Sequence, residues 1–195
     1  FPPAGLDMAT AVRNYAAYRE GPDAWALGRF VVGVGRLNEL WQALREEIGG
    51  ETGANRPWPV AAVGGGDPVA VGQAIQWFNV SAAGLARVDT LEWKADVDGD
   101  LAGDLARLPD GLHLYIELPL DRDPAPWLPA LAGRGAAVKA RTGGTEPALI
   151  PDPEAVLRFL TAVTAAGLPF KATAGLHHPV RGEYALTNEP SSPRA

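Results

Sequence analysis

The chain contains no cysteine, one methionine and three histidines among 195 residues. The missing cysteine excludes disulfides, thiolate metal sites and cysteine nucleophiles, while leaving the redox compartment open. No apolar run approaches the ~18 residues that a membrane span needs. Positive charge is also scarce, with 17 Lys and Arg against 23 Asp and Glu and a net charge of -6. That balance argues against a nucleic-acid partner, whose binders usually carry a basic excess. The opening FPPAGLD has no charged segment followed by an apolar one, so no secretory signal is expected. A cytoplasmic protein is the expectation. The first residue is Phe1, not an initiator methionine, which reads as a processed product or a piece of a longer chain.

What the chain does have is a recurring apolar rhythm. Six short runs are rich in Val, Leu, Ile and Phe: Phe30–Val34, Val60–Val63, Val88–Lys94, Leu112–Leu118, Ala136–Arg141 and Pro169–Ala174. Helical patterns lie between them. RLNELWQALREEIGG carries Leu37, Leu40, Trp41, Leu44 and Ile48 on one face and stops at a glycine pair. Asp67-Pro68 and Asp152-Pro153 each read as an N-cap followed by a proline at the first helical position. The second of these helices offers Val156, Leu157, Leu160 and Val163 as its apolar face and Gly167 as its stop. DPAPWLPALAGRG is a shorter candidate, and LDMATAVRNYAAYREGPD reads as a helix before the first strand. Strands alternating with helices are the signature of repeated βαβ units and a parallel sheet.

A doubly wound sheet and a (β/α) barrel both fit that alternation, and side-chain parity separates them. Strands of a doubly wound sheet lie under helices on both faces and read as wholly apolar. Here alternate positions are polar. Glu92 and Lys94 oppose Leu91 and Trp93; His113, Tyr115 and Glu117 oppose Leu114, Ile116 and Leu118; Lys139 and Arg141 oppose Val138 and Ala140; Lys171 and Thr173 oppose Phe170, Ala172 and Ala174. Alternate side chains of a strand face opposite sides, so four strands share one apolar face and one charged face. The charged residues gather toward the carboxyl ends, where barrel enzymes build their sites. The expectation is an α/β fold of the TIM-type (β/α) barrel kind, in one domain over residues 1–195 with an irregular tail from about residue 182. Six strands fall short of the eight, in ~250 residues, that close such a barrel. The missing strands are expected outside the chain.

Lys171 is the sharpest candidate for chemistry. An inward lysine among apolar neighbours is poorly hydrated, and a free amine attacks carbonyl carbons. Lys139, on the preceding strand, adds a second inward cation. Glu117 and Glu92 are the candidate proton carriers, with structural pairing to Lys171 as the plainer alternative. FKATAG, Phe170 to Gly175, is similar to the K-x-[ST]-x-G strand of deoxyribose-phosphate aldolases, class I aldolases. That resemblance spans about 40 residues, Val138 to Gly175. It implies that Lys171, on the sixth strand here as in that family, forms a Schiff base. The family's second lysine follows the Schiff-base strand, whereas Lys139 precedes it, and the family's glycine-rich phosphate loop has no counterpart after Gly175. The longer pattern RTGG…PFKATAGLHHP resembles an uncharacterised bacterial barrel family, which implies no activity.

The remaining candidates surround that strand. His177 and His178 follow it in the loop where acid–base groups belong. They also offer a weaker route to a metal-dependent hydrolase. Arg141 ends its strand with a fork for an anion, and Gly143-Gly144 would let backbone amides approach one. Lys94, Tyr115 and Thr173, at the same parity, complete the expected substrate-binding set. VGVGRLNEL and VGGGDP lack the spacing of a dinucleotide fingerprint and read as turns. The acidic run Asp96, Asp98, Asp100 and Asp104 lacks the closing glutamate of a calcium loop and reads as a solvated loop. The expected activity is that of a lyase or isomerase acting on a small anionic carbonyl compound, with no cofactor, no metal and no membrane or nucleic-acid partner. A homo-oligomer is compatible with it. The alternative is a non-catalytic barrel that binds a small anionic ligand or a partner protein.

Overall fold

The structure, a computed structural model, describes residues 5–49, 57–175, 180, 182–186 and 191–194. Helix and strand alternate along it: α1 (Met8–Arg19), β1 (Phe30–Gly33), α2 (Leu37–Glu47), β2 (Trp58–Gly65), α3 (Pro68–Ser81), β3 (Ala86–Lys94), α4 (Leu101–Arg107), β4 (His113–Leu118), α5 (Leu128–Arg134), β5 (Ala137–Arg141), α6 (Pro153–Ala165) and β6 (Phe170–Thr173). The strands follow one another through a six-stranded sheet in chain order. The pairs β1·β2, β4·β5 and β5·β6 are parallel. This is an α/β fold, and every expected strand is present to within two residues at either end. A complete eight-stranded barrel is not formed: among the described residues there are six strands, with β1 and β6 at the ends of the sheet.

Contacts divide the chain into two compact units, one of Ala4–Trp93 with Ala106–His113 and the other mainly of Lys94–Leu105 with Leu114–Ala195. In the first, α1, α2 and α3 supply the apolar cover. Val12, Leu40, Ile75 and Phe78 are buried together with Val60, Ala62, Val88 and Leu91 of β2 and β3. Tyr15 meets Phe30 edge-on with ring centroids 5.3 Å apart and tilts against Trp58 at 4.7 Å. Asp67 caps α3 as its sequence suggests, accepting from the Val69 and Ala70 amides at 3.1 and 3.3 Å, with Pro68 at the first helical position.

In the second unit, Leu114, Ile116 and Leu118 of β4 and Val138 and Ala140 of β5 are buried, as are Leu131 of α5 and Phe159 and Val163 of α6. Helix α6 is turned a little from the face its sequence suggests: Val163 is buried and Val156 and Leu160 are half-buried, but Leu157 points outward. Its buried residues are Ala155, Phe159 and Val163, an i, i+4, i+8 stripe, while Leu157 is 64% exposed. Phe159 sets that rotation by packing edge-on against Phe170 of β6, centroids 6.1 Å apart. Asp152 stands at the N-cap of α6 without a side-chain cap bond. A second correction concerns the acidic run. Its end is not a loop but helix α4, where Leu101 and Leu105 are buried on one side and Asp100 accepts the Gly103 amide at 3.0 Å.

Candidate functional site

Parallel register places three charged residues in one row. Glu117 of β4 is the Cα partner of Lys139 on β5, and Lys139 is the Cα partner of Lys171 on β6. In a parallel sheet, register partners present their side chains on the same face, about 4.8 Å apart from strand to strand. The opposite parity holds Ile116, Leu118, Val138 and Ala140, so helix cover on that side leaves the row to the other face. One layer further along, Arg141 pairs in register with Thr173.

Within the row, Lys139 Nζ lies 2.9 Å from Glu117 Oε2, with side-chain exposures of 6% and 15%. Lys171 Nζ lies 4.1 Å from the ring centroid of Tyr115, which is two residues before Glu117 and shares its parity. Glu117 is therefore the carboxylate of Lys139, where sequence alone made it the first candidate for Lys171. Register sets the Glu117 carboxylate opposite the lysine of β5. Lys171 is also on the last strand of the sheet. Phe170, its neighbour, is 41% exposed, so β6 is a half-open strand and not the buried one that its composition suggests.

Toward the carboxyl ends of β3, β4 and β5 the same unit opens a cleft of about 400 Å³, lined among others by Lys94, Asp96, Asp98, Glu117, Arg122 and Arg141. The Ala95 amide donates to the Glu117 carbonyl at 3.4 Å, which holds the end of β3 against β4. Arg122 and Asp98 form an ion pair at 2.7 Å, and the Arg122 guanidinium lies over Trp127, 5.0 Å from the ring centroid. Asp96 accepts the Asp98 amide at 3.1 Å. Arg122 was not among the sequence candidates, and Asp98 was read only as part of a solvated loop. The signal that could have found them is their place in the loops just past the ends of β4 and β3, where barrel sites are assembled.

The other expected residues fall as follows. Thr173 makes strand contacts: its hydroxyl donates to the Ala140 carbonyl at 3.4 Å, and its carbonyl accepts from the Thr142 amide at 2.8 Å. Gly143 and Gly144 are in close packing. A Cβ on Gly143 would run into the Ala174 carbonyl, and one on Gly144 would run into the Leu149 side chain. Their smallness serves the approach of the loops after β5 and β6. Glu92 is buried on β3 at 8% exposure, in the other compact unit. His177 and His178 lie outside the described residues. Among the described residues no three His, Asp or Glu side chains are grouped to hold a metal ion, and no helix is long and apolar enough to cross a membrane. Comparison with protein-family models, curated proteins and solved structures returned no match.

Proposed function

We propose that this protein is a lyase- or isomerase-like enzyme that acts on a small anionic carbonyl compound through the amine of Lys171, in the manner of a class I aldolase. The observation that carries this reading is the register row Glu117–Lys139–Lys171, whose first member, Glu117, also lines the cleft together with Arg141. In the proposed step the Lys171 nitrogen adds to the substrate carbonyl carbon. One proton passes from the nitrogen to the resulting oxygen and a general acid delivers a second, so the oxygen leaves as water and an iminium remains. The iminium then accepts the electron pair of the adjacent bond. Either a C–H proton passes to a base, or a C–C bond breaks as a base takes the β-hydroxyl proton and that fragment leaves as a carbonyl compound. The enamine is reprotonated to an iminium, and water hydrolyses it to product and free amine. Glu117, within the row, is the proposed proton carrier. Lys139 fixes its carboxylate through the 2.9 Å ion pair.

Borohydride trapping tests the reading. Incubation with a panel of aldehydes and oxo acids, reduction and peptide mapping should place a stable adduct on Lys171. Absence of an adduct on Lys171 with every member of the panel overturns the imine mechanism.

A further inference from the structure

Most charges around the cleft are already committed to one another. Glu117 pairs with Lys139 and Asp98 with Arg122. The Asp96 carboxylate is turned into its own loop by the Asp98 amide. Lys94 and Arg141 are different: both are exposed, both line the cleft, and among the described residues neither side chain has a hydrogen bond or ion pair. They end β3 and β5, the strands on either side of β4. Two strand spacings separate those strands by about 10 Å at the backbone. Glu117 lies between them.

We infer that the cleft takes a small molecule with an anionic group at each end, a four- or five-carbon dicarboxylate with its carbonyl between the two. Arg141 receives one carboxylate through its planar fork, and Lys94 receives the other as a mobile point charge. A ligand so held lays its middle across the end of β4. This rests on the reading of the cleft as the substrate site, and it goes further by naming the charge and length of the substrate. The Asp121 carboxylate, also on the cleft wall, opposes any anion, so one cation alone gives little net attraction. Both cations are needed. The chain as a whole carries a net charge of -6, so a dianion gains nothing from the general field of the protein.

The test uses ligands without a carbonyl, so that it stands apart from the imine chemistry. Calorimetric titration of the full chain with glutarate and with butyrate compares a dianion and a monoanion of similar size. Glutarate should bind about tenfold more tightly or better, a ratio worth one favourable ion contact. Lys94→Gln and Arg141→Gln should each reduce that ratio to near one while leaving butyrate binding within a few-fold. Equal affinity for the two acids in the unmodified protein overturns the inference without recourse to any variant. So does an unchanged ratio in both variants. Selective glutarate binding together with failed borohydride trapping would keep the dicarboxylate site and remove the aldolase-like chemistry.

Discussion

Lys139 and Glu117 are register partners on adjacent parallel strands, and their charged atoms meet at 2.9 Å in a nearly dry setting. Such a pair is costly to break on one side only, since the remaining charge stays buried without compensation. Lys139→Met should therefore destabilise the protein by about 3 kcal/mol or more. Lys139→Met combined with Glu117→Leu should recover most of that loss. Urea unfolding of the single and double variants measures it. Additive losses would show that the two side chains do not act as a pair.

Lys171 stands next in the row but on a half-open strand, and its ammonium rests on the Tyr115 ring. A partly exposed cation–π contact contributes about 0.5–1 kcal/mol. Lys171→Met removes at least that contact and should leave a cooperative urea transition, while removing the borohydride-trapped adduct and turnover together. Unfolding of both Lys171→Met and Glu117→Gln would make these residues structural and would remove the site assignment.

The strands were legible because their period-two patterns are short and sharply bounded. His113 to Leu118 and Ala137 to Arg141 alternate so cleanly that their charged face can be read before any fold is known. Sheet register was not legible, because pairing depends on where each βα loop returns the chain. That is why sequence points from Glu117 to Lys171, and only the strands set side by side put Glu117 opposite Lys139. The exposed side of α6 was misread for a related cause. Leu157 and Phe159 are equally apolar in sequence, and only Phe170 across the interface selects Phe159. Arg122 and Asp98 show the opposite limit, since an ion pair between two loops leaves no periodic trace.

The turn after β6 gives a third prediction. Ala174 adopts φ of +60°, a left-handed conformation that costs a residue with a Cβ about 1–2 kcal/mol. Glycine relieves that cost but enlarges the freedom of the unfolded chain, which offsets about 0.4–1 kcal/mol. Ala174→Gly should accordingly stabilise the protein by about 0.5–1 kcal/mol, read as a rise in the urea midpoint with an unchanged slope. A lower midpoint would show that the methyl group contributes packing that outweighs the backbone strain.

The first compact unit supplies a pH-dependent prediction at Asp89. Burial alone would raise its carboxyl, but hydrogen bonds from Arg29 and Thr90 and the Arg29 charge outweigh burial, with a smaller contribution from His113. The group is therefore held below the ordinary aspartate value. Arg29 Nε sits 2.6 Å from one carboxylate oxygen, and the Thr90 hydroxyl donates to that oxygen at 2.9 Å. A folded-state value below the unfolded one means that the unfolded chain binds the proton more readily. The stabilisation is thus present above the unfolded value of ~3.9 and is lost as pH falls through the folded value. Both side chains are about one-third exposed or more, so solvent screening limits the pair to no more than about 1 kcal/mol. Arg29→Met should lower stability by that amount near neutral pH. The gap between variant and parent should close as pH falls below about 4, measured by urea unfolding at a series of pH values. A gap that stays constant across that range would assign the loss to packing of the Arg29 stem instead of to the Asp89 charge.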